Sequence, residues 1–458
     1  MTHDSLLGII PNRSTPIKIL IDKLVEHQAA LLDVKMPERS EVTYFGAGPA
    51  LLPTPVLESA GQAIVNYNST GLGLAEHSHR SALANSILEK TKKDLKSLLD
   101  IPDDYEVLFM QGGGSGQFSA VMYNLLSVWV ERRRRRLEKE LLDKSPGLVN
   151  DDLYAATIAG LKQEVEQDLK LDYIVTGSWS LKASQEAARH LGTKHINVVT
   201  DSRTASTGRF VSIPDESQWK LTPTVKEGRS VGPAFVYYCD NETVDGVEFP
   251  AFPACLEAKS DDEEEDRLVV ADMSSNILSR RVDVRKYAVI FAGAQKNIGT
   301  TGLTIVILRK SLLPPRTNTA PPALLRELGL PIGPVILDYA TVAKNNSLYN
   351  TLSIFDVWVA GQVIEGLLTR FPEDKVGGME KLANEKASLV YGALDKYPEV
   401  YTVVPEKAAR SRMNICFRIA SGNVEVEKQW LAGAEQRGLL GLKGHRSVGG
   451  IRCSNCEL

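Results

Sequence analysis

The chain has 458 residues, 43% hydrophobic and 24% charged, with 53 Lys and Arg against 57 Asp and Glu for a formal net charge of −4. That is enough chain for two or three domains around a sizeable core. The near-neutral balance asks for neither a nucleic acid nor an anionic membrane as partner, and no apolar run approaches the roughly 20 residues of a membrane span.

Residues 1 to about 40 read as an extension. Thr15 and Pro16 form a helix-start pair, and Ile17, Leu20, Leu24 and Leu31 keep helical spacing to about Val34. Asp4 comes early and no short apolar core follows it, so neither a secretory signal nor a transit peptide is expected; the default location is the cytoplasm. "FGAGPALLP" (45–53) is a Gly/Pro-rich loop. From there helical patterns alternate with short apolar runs: "YEVLFM", "LDYIVTG", "HINVVT", "AFVYYC", "RLVVAD", "YAVIFAGA" and "LTIVIL". Such alternation predicts a largely parallel α/β sheet. Within it, Arg132 to Arg136 could be a nuclear signal or a nucleic-acid patch. Glu131, Glu138 and Glu140 surround the arginines, however, and Leu137, Leu141 and Leu142 give a packing edge, so a solvated helix is expected. The acidic run Asp261 to Asp266 reads as an exposed loop before a strand. After about residue 365 the pattern turns to helix, strand, helix, strand, as in a smaller α+β domain. The predicted organisation is an extension (1–40), a large domain (41–365, with a charged helical insertion at about 130–170) and a small C-terminal domain (366–458). Five cysteines (Cys239, Cys255, Cys416, Cys453, Cys456) make no disulfide framework, which fits a reducing compartment. The C-x-x-C at 453–456 lacks the second pair a zinc site would want, so no metal is expected.

One residue stands out chemically. Lys296, in "YAVIFAGAQKNIGTTGLTIVILRK", sits in a small-residue turn between two runs that read as buried strands. A lysine amine titrates at about pH 10.4 and its charge is costly to bury. One solution is an imine with an aldehyde, as in enzymes built around pyridoxal phosphate. That cofactor makes three further demands, and each has a candidate. "FMQGGGSGQF" supplies a glycine turn (Gly112, Gly113, Gly114, Ser115) that feeds a helix N-terminus suited to phosphate, although a simple tight turn would look the same. Asp272, at the end of "RLVVAD", could hold a proton on the pyridine nitrogen or could merely cap a helix. Trp179, after "DYIVTGS", could stack on the ring or could pack in the core. Their order on successive strand ends favours the joint reading, because ligands collect at such ends.

The motifs "FGAGPALLP", "EHSHRS", "GGGSGQF", "NETVDG", "ADMSSNILSR", "AGAQKNIG", "SLYNT" and "GHRSVGGIR" together resemble the phosphoserine aminotransferases, fold-type I pyridoxal-phosphate enzymes of the class-V aminotransferase group. The resemblance runs from about Val42 to Arg452. It implies a mostly parallel seven-stranded sheet in the large domain and a small α+β C-terminal domain. It also implies amino transfer between L-glutamate and 3-phosphohydroxypyruvate, giving O-phospho-L-serine and 2-oxoglutarate in serine biosynthesis. In that picture Lys296 resembles the lysine that carries pyridoxal 5'-phosphate and later moves the α-proton. Asp272 resembles the pyridinium partner, Trp179 the stacking ring, and Thr243 the hydroxyl on the cofactor's phenolic oxygen. Gly114, Ser115 and Gln295 match phosphate contacts. Asn350 and Thr351 match phosphate contacts given by the second subunit of a homodimer. His79 and Arg80 of the neighbouring subunit, with His445, Arg446 and Arg452 of the small domain, resemble the substrate site. Arginine forks suit substrates that carry two anionic groups.

The chain departs from the family pattern in four places. Ser115 stands where some members carry arginine. The insertion and the first 40 residues have no counterpart, and the family usually continues into a last helix beyond Leu458. The small-domain strand "MNICFRIA" (413–420) is therefore expected to leave the face of Ile415 and Phe417 bare, with packing of the N-terminal helix (about 16–34) on it as the alternative. Two rival readings stay open: a serine– or alanine–glyoxylate type aminotransferase, and a catalytically impaired partner subunit.

Overall fold

The computed structural model describes residues 38–456, apart from 149, 207, 227–228 and 259–265. The predicted helix at about 16–34 and most of the acidic run 261–266 lie outside the described residues. The chain divides into two units, Met1–Thr43 and Tyr44–Leu458. The described part of the first holds a single 3-10 turn, Arg39–Glu41. Everything below concerns the second.

A seven-stranded sheet organises this unit. In chain order its strands are β1 (Tyr105–Met110), β2 (Leu171–Val175), β3 (Ile196–Asp201), β4 (Val236–Cys239), β5 (Val269–Asp272), β6 (Val289–Gly293) and β7 (Thr304–Arg309). In space they run β1-β7-β6-β5-β4-β2-β3. Only β7 is antiparallel to its neighbours; the other pairings are parallel. Side chains alternate between two cores. Val107, Phe109, Val236, Tyr238, Ile305 and Ile307 point into one, while Leu108, Met110, Tyr237, Val270, Val306 and Leu308 point into the other. Both faces are covered, so the strands read as continuous apolar runs rather than as a polar–apolar alternation.

Helices supply the covers. On the first face lie α1 (Thr54–Val65), α2 (Ala82–Leu99) and α6 (Ile354–Arg370), through residues such as Leu88, Leu95, Val357 and Ile364. On the second lie α3 (Gly113–Lys144), α4 (Asn150–Gln167) and α5 (Ser178–Leu191), through Phe118, Leu125, Leu161 and Ala183. Helix α2 starts where the Ser81 hydroxyl accepts the Ala84 N–H at 3.1 Å, a conventional N-cap.

The arginine run is not solvated as the sequence led us to expect. Arg133 and Glu131 are buried on α3. Arg133 and Arg136 both pair with the buried Glu164 of α4, and Arg134 and Arg135 pair with Glu131. Arg133 and Arg136 clamp α3 to α4, because α4 brings a carboxylate that local charge counting does not see, while Arg134 and Arg135 stay half-buried and pair within α3.

A second sheet follows, made of β8 (Tyr401–Val403), β9 (Asn414–Ile419) and β10 (Ile451–Ser454) in that order, all antiparallel. Helices α7 (Val376–Asp395) and α8 (Val424–Glu435) pack on it through Ala387, Leu394, Trp430 and Ala434. The expectation of a bare face fails here. Ile415 and Phe417 are 0% and 3% exposed, because the domain's own two helices cover them.

Candidate active site

Parallel strands bring their C-terminal ends to one edge of the sheet. There β5 ends on Asp272, β4 on Cys239 and β6 on Gly293, with register pairs Asp272↔Cys239 and Asp272↔Phe291. Lys296 follows in the turn after β6. It is 8% exposed, and its Nζ donates to Thr243 Oγ1 at 2.7 Å. Burial pushes the amine's pKa down. The Cys456 thiol, Asp272 and Cys239 oppose that shift, and Arg452 adds to it. Asp272 is also buried, which raises its carboxyl pKa; hydrogen bonds from Ser274 and the charge of Lys296 oppose the rise. Its Oδ1 accepts the Ser274 N–H at 2.9 Å, so the residue fastens a turn as well as facing the amine.

The glycine turn lies against this pair. Gly112 (φ +100°) and Gly113 (φ +61°) take left-handed backbone that other residues rarely adopt, and α3 begins there. The Gly113 N–H donates to Thr304 Oγ1 at 2.9 Å. A Cβ on Gly114 would lie 3.4 Å from Asp272 Oδ2, so the first turn of α3, with Gly114 and Ser115, opens beside the carboxylate. The Gln295 carbonyl accepts the Ala50 N–H at 2.9 Å, which ties the "FGAGPALLP" loop to the lysine turn. Gly48 of that loop (φ +114°) leaves room for the lysine stem, since a Cβ there would come within 3.1 Å of Lys296 Cγ.

Trp179 is the second residue of α5, half-buried, with the Lys182 ammonium 4.2 Å above its ring. Its N–H donates to the buried Glu242 carboxylate at 2.8 Å. Arg452, on β10, donates to the Thr243 carbonyl at 3.2 Å, and its Nε is buried with no hydrogen-bond partner. The His445 imidazole lies 2.7 Å from Ser447 Oγ. Burial lowers its pKa first, and Arg452, Lys182 and Arg446 lower it further, so three cations face one ring. Arg446 itself is exposed. A cavity of about 680 Å³ adjoins this group, lined by Ser178, Arg209, Asp245, Arg418 and Arg452 among others.

One chain thus brings together Lys296, Asp272, Thr243, Gly114, Gln295 and Arg452, with Trp179, His445 and Arg446 around them. Ser115 follows Gly114 on the first turn of α3, and Asn350 and Thr351 reach Gln111, the residue before the glycine turn, whereas His79 and Arg80 make no hydrogen bond to this group among the described residues. The Arg80 N–H bonds Ser78 Oγ at 3.2 Å in the turn before α2, and His79 keeps a buried Nε2 with no partner. Asn350 donates to Gln111 at 2.5 Å, and the Thr351 carbonyl accepts from the same side chain at 3.5 Å. Sequence reasoning missed Glu242, Lys182 and Gly48. A glutamate next to the chosen threonine and a glycine before a proline were the available signals.

Three independent comparisons bear on this arrangement. The aminotransferase class-V family model matches residues 42–137 and 157–450. The chain belongs to the class-V aminotransferase family, and its relatives within that family carry a narrower name. The phosphoserine aminotransferase of Saccharomyces cerevisiae is 42% identical over 424 residues, covering 91% of this chain and 93% of the relative. The phosphoserine aminotransferase of Drosophila melanogaster is 38% identical over 90% of this chain and 93% of its own. Among solved structures, the phosphoserine aminotransferase from Bacillus circulans subsp. alkalophilus superposes with a TM-score of 0.69 at 32% identity, over 90% of this chain and 91% of that one. Between its two stretches the family match leaves out residues 138–156, and Arg132 to Arg136 fall inside it.

Proposed function

We propose that this chain catalyses amino transfer between L-glutamate and 3-phosphohydroxypyruvate, giving O-phospho-L-serine and 2-oxoglutarate, with pyridoxal 5'-phosphate carried on Lys296. The observation that carries the reading is the buried amine of Lys296 between Thr243 and Asp272, at the C-terminal edge of the sheet. The donor set suits the cofactor. A helix N-terminus opens beside a buried carboxylate, glycine at 114 keeps that space clear, and Arg452 offers a buried guanidinium nitrogen with no partner. When bound, pyridoxal phosphate supplies an aldehyde for the amine and a ring that accepts the electron pair released at the substrate's α-carbon.

The chain's own residues divide the remaining work. Asp272 would hold a proton on the ring nitrogen. Trp179 would present its face to the ring, and the Thr243 hydroxyl would hold the phenolic oxygen. Gly114, Ser115 and Gln295 would take the phosphate, with Asn350 and Thr351 from a second subunit. Lys296 Nζ would remove the α-proton and return it one atom further along. Burial suits this role, since it favours the neutral amine that can accept a proton. Arg452, Arg446 and His445, with His79 and Arg80 of a neighbouring subunit, would bind the two anionic ends of each substrate.

The names of relatives that span nine-tenths of the chain favour this reading over a glyoxylate-type enzyme. We place the protein in the cytoplasm as a homodimer. All five cysteines are free, as a reducing compartment would keep them, and no described helix is long and apolar enough to cross a membrane. The test has two parts. Purified protein should convert glutamate and phosphohydroxypyruvate in a coupled assay. Borohydride reduction should then fix the cofactor's mass to the peptide carrying Lys296. Attachment at another lysine, or no transfer in the assay, refutes the reading.

A further inference from the structure

The hairpin that carries Thr243 holds a second group that the proposed chemistry leaves unused. Its strands are Asn241–Glu242 and Val247–Glu248, closed by the Gly246 N–H donating to the Glu242 carbonyl at 2.9 Å. The Glu242 side chain is fully buried and reaches across to the start of α5. Its Oε2 accepts the Trp179 N–H at 2.8 Å. Its Oε1 accepts the Ser180 N–H at 2.8 Å and the Ser180 hydroxyl at 2.6 Å. Those two N–H groups belong to the first turn of α5, where no intrahelical partner exists.

A helix normally solves this problem locally, with a serine, threonine or aspartate as N-cap. Here the N-cap is Gly177, which has no side chain to offer. Its backbone is extended, so conformation does not demand glycine; space does. A Cβ at 177 would overlap the Glu242 carboxyl group. The sequence gives up a local cap so that a carboxylate from another element can do the capping. A second tie runs beside it, from the Ser178 hydroxyl to Asp245 Oδ2 at 3.1 Å.

A local cap would fix α5 and nothing else. The carboxylate of Glu242 fixes Trp179, through its own N–H, relative to the residue that precedes Thr243. We propose that Glu242 is a positioning residue for amino transfer, setting the Trp179 ring and the Thr243 hydroxyl in one fixed relation. The proposal rests on the roles given to those two residues above. Burial raises the Glu242 pKa to about 7, against the opposing hydrogen bonds from Ser180 and Trp179 and with help from Asp245. Burial raises the pKa of Tyr237 and Cys239 of β4, and the charges of Glu242 and Asp272 add to each rise. A merely structural cap could have been had without placing a carboxylate where burial and Asp245 disfavour its charge.

Two variants separate positioning from capping. Glu242→Gln keeps the shape but turns an amide NH₂ towards one of the α5 N–H groups. The double variant Gly177→Ser with Glu242→Ala restores a local cap in the space the glutamate vacates. In apoprotein, hydrogen exchange at 178–181 should speed up about tenfold in Glu242→Gln and return to the wild-type rate in the double variant. In holoenzyme, both variants should lose visible circular dichroism of the cofactor. Both should lose kcat by about 10–100-fold, with glutamate KM moving less than about threefold. Wild-type kcat and dichroism in Glu242→Gln, or their full return in the double variant, would overturn the proposal by reducing Glu242 to a cap. A wild-type chain with no cofactor band would instead sink the functional reading, and the exchange arm would still report whether Glu242 orders Trp179.

Discussion

Replacing Glu164 by glutamine should destabilise the large domain far more than a charge run on a helix would suggest. The Glu164 carboxylate is 3% exposed and serves three guanidinium groups, those of Arg133, Arg136 and Arg229. Arg133 is the most deeply buried of the three. It also donates to the Ser230 and Gly232 carbonyls, and it lies 4.6 Å over the Trp129 ring. Arg136 Nη1 reaches the same Ser230 carbonyl at 2.8 Å. Desolvation already brings the Arg133 pKa down to about 10, with Glu164 opposing and Arg136 assisting. Removing one partner of a buried ion pair costs about 3–5 kcal/mol, because the other charge is left uncompensated. Arg136 and Arg229 are 24% and 40% exposed and can recover water, so the lower end applies, about 3 kcal/mol. With an unfolding entropy of about 2.1 cal/mol/K per residue over roughly 400 residues, that lowers Tm by about 3–4 °C. The measurement is a thermal melt of Glu164→Gln beside Glu166→Gln, at low and at high salt. Glu166 pairs with Lys194 at the surface, and its variant should melt with wild type. The Glu164 shift should persist at high salt, because buried pairs are poorly screened. A shift below about 1 °C, or one that salt abolishes, would mean that the arginine run is a solvated face after all.

Three further outcomes can be checked. Asp272→Asn should load pyridoxal phosphate yet lose at least about 10²-fold in kcat, since an amide cannot hold the ring proton; stopped-flow single turnovers with glutamate would show it. Mixing inactive Lys296→Ala chains with inactive Arg80→Ala chains should restore up to about a quarter of wild-type activity, because each hybrid dimer keeps one intact shared site; hybrids shown to form without recovery would exclude shared sites. Burial raises the thiols of Cys255, Cys416 and Cys453 to about 12 and lifts those of Cys239 and Cys456 as well. A thiol reagent at neutral to mildly alkaline pH should therefore leave native protein almost unlabelled while all five cysteines react in denaturant, and raising the pH should speed labelling of half-exposed Cys255 first.

What the sequence made legible follows from what parallel strands do. Glycine turn, tryptophan, aspartate and lysine each sit just past an apolar run, and a parallel sheet must deliver such positions to one edge. Asp272 and Lys296 could therefore be paired without knowing any distance. The misses share an opposite property. Glu164 and Glu242 act on partners fixed only by packing: Glu164 from the next helix, and Glu242 across 63 residues to Trp179. Taken alone, each reads as an ordinary polar residue. The arginine run was read correctly where its partners are local, Glu131, Glu138 and Glu140, and misjudged at Arg133 and Arg136, whose further carboxylate, Glu164, lies outside any local window. The supposedly bare face of β9 shows the converse limit. Periodicity says that Ile415 and Phe417 share a side, but only the packing of α7 and α8 says what lies on it. Gly177 and Gly48 show how such gaps narrow. A glycine in extended backbone, or one pressed against a lysine stem, marks a place where another element needs the room. At Gly177 that element is the glutamate beside the Thr243 hydroxyl, which accepts from the Lys296 amine.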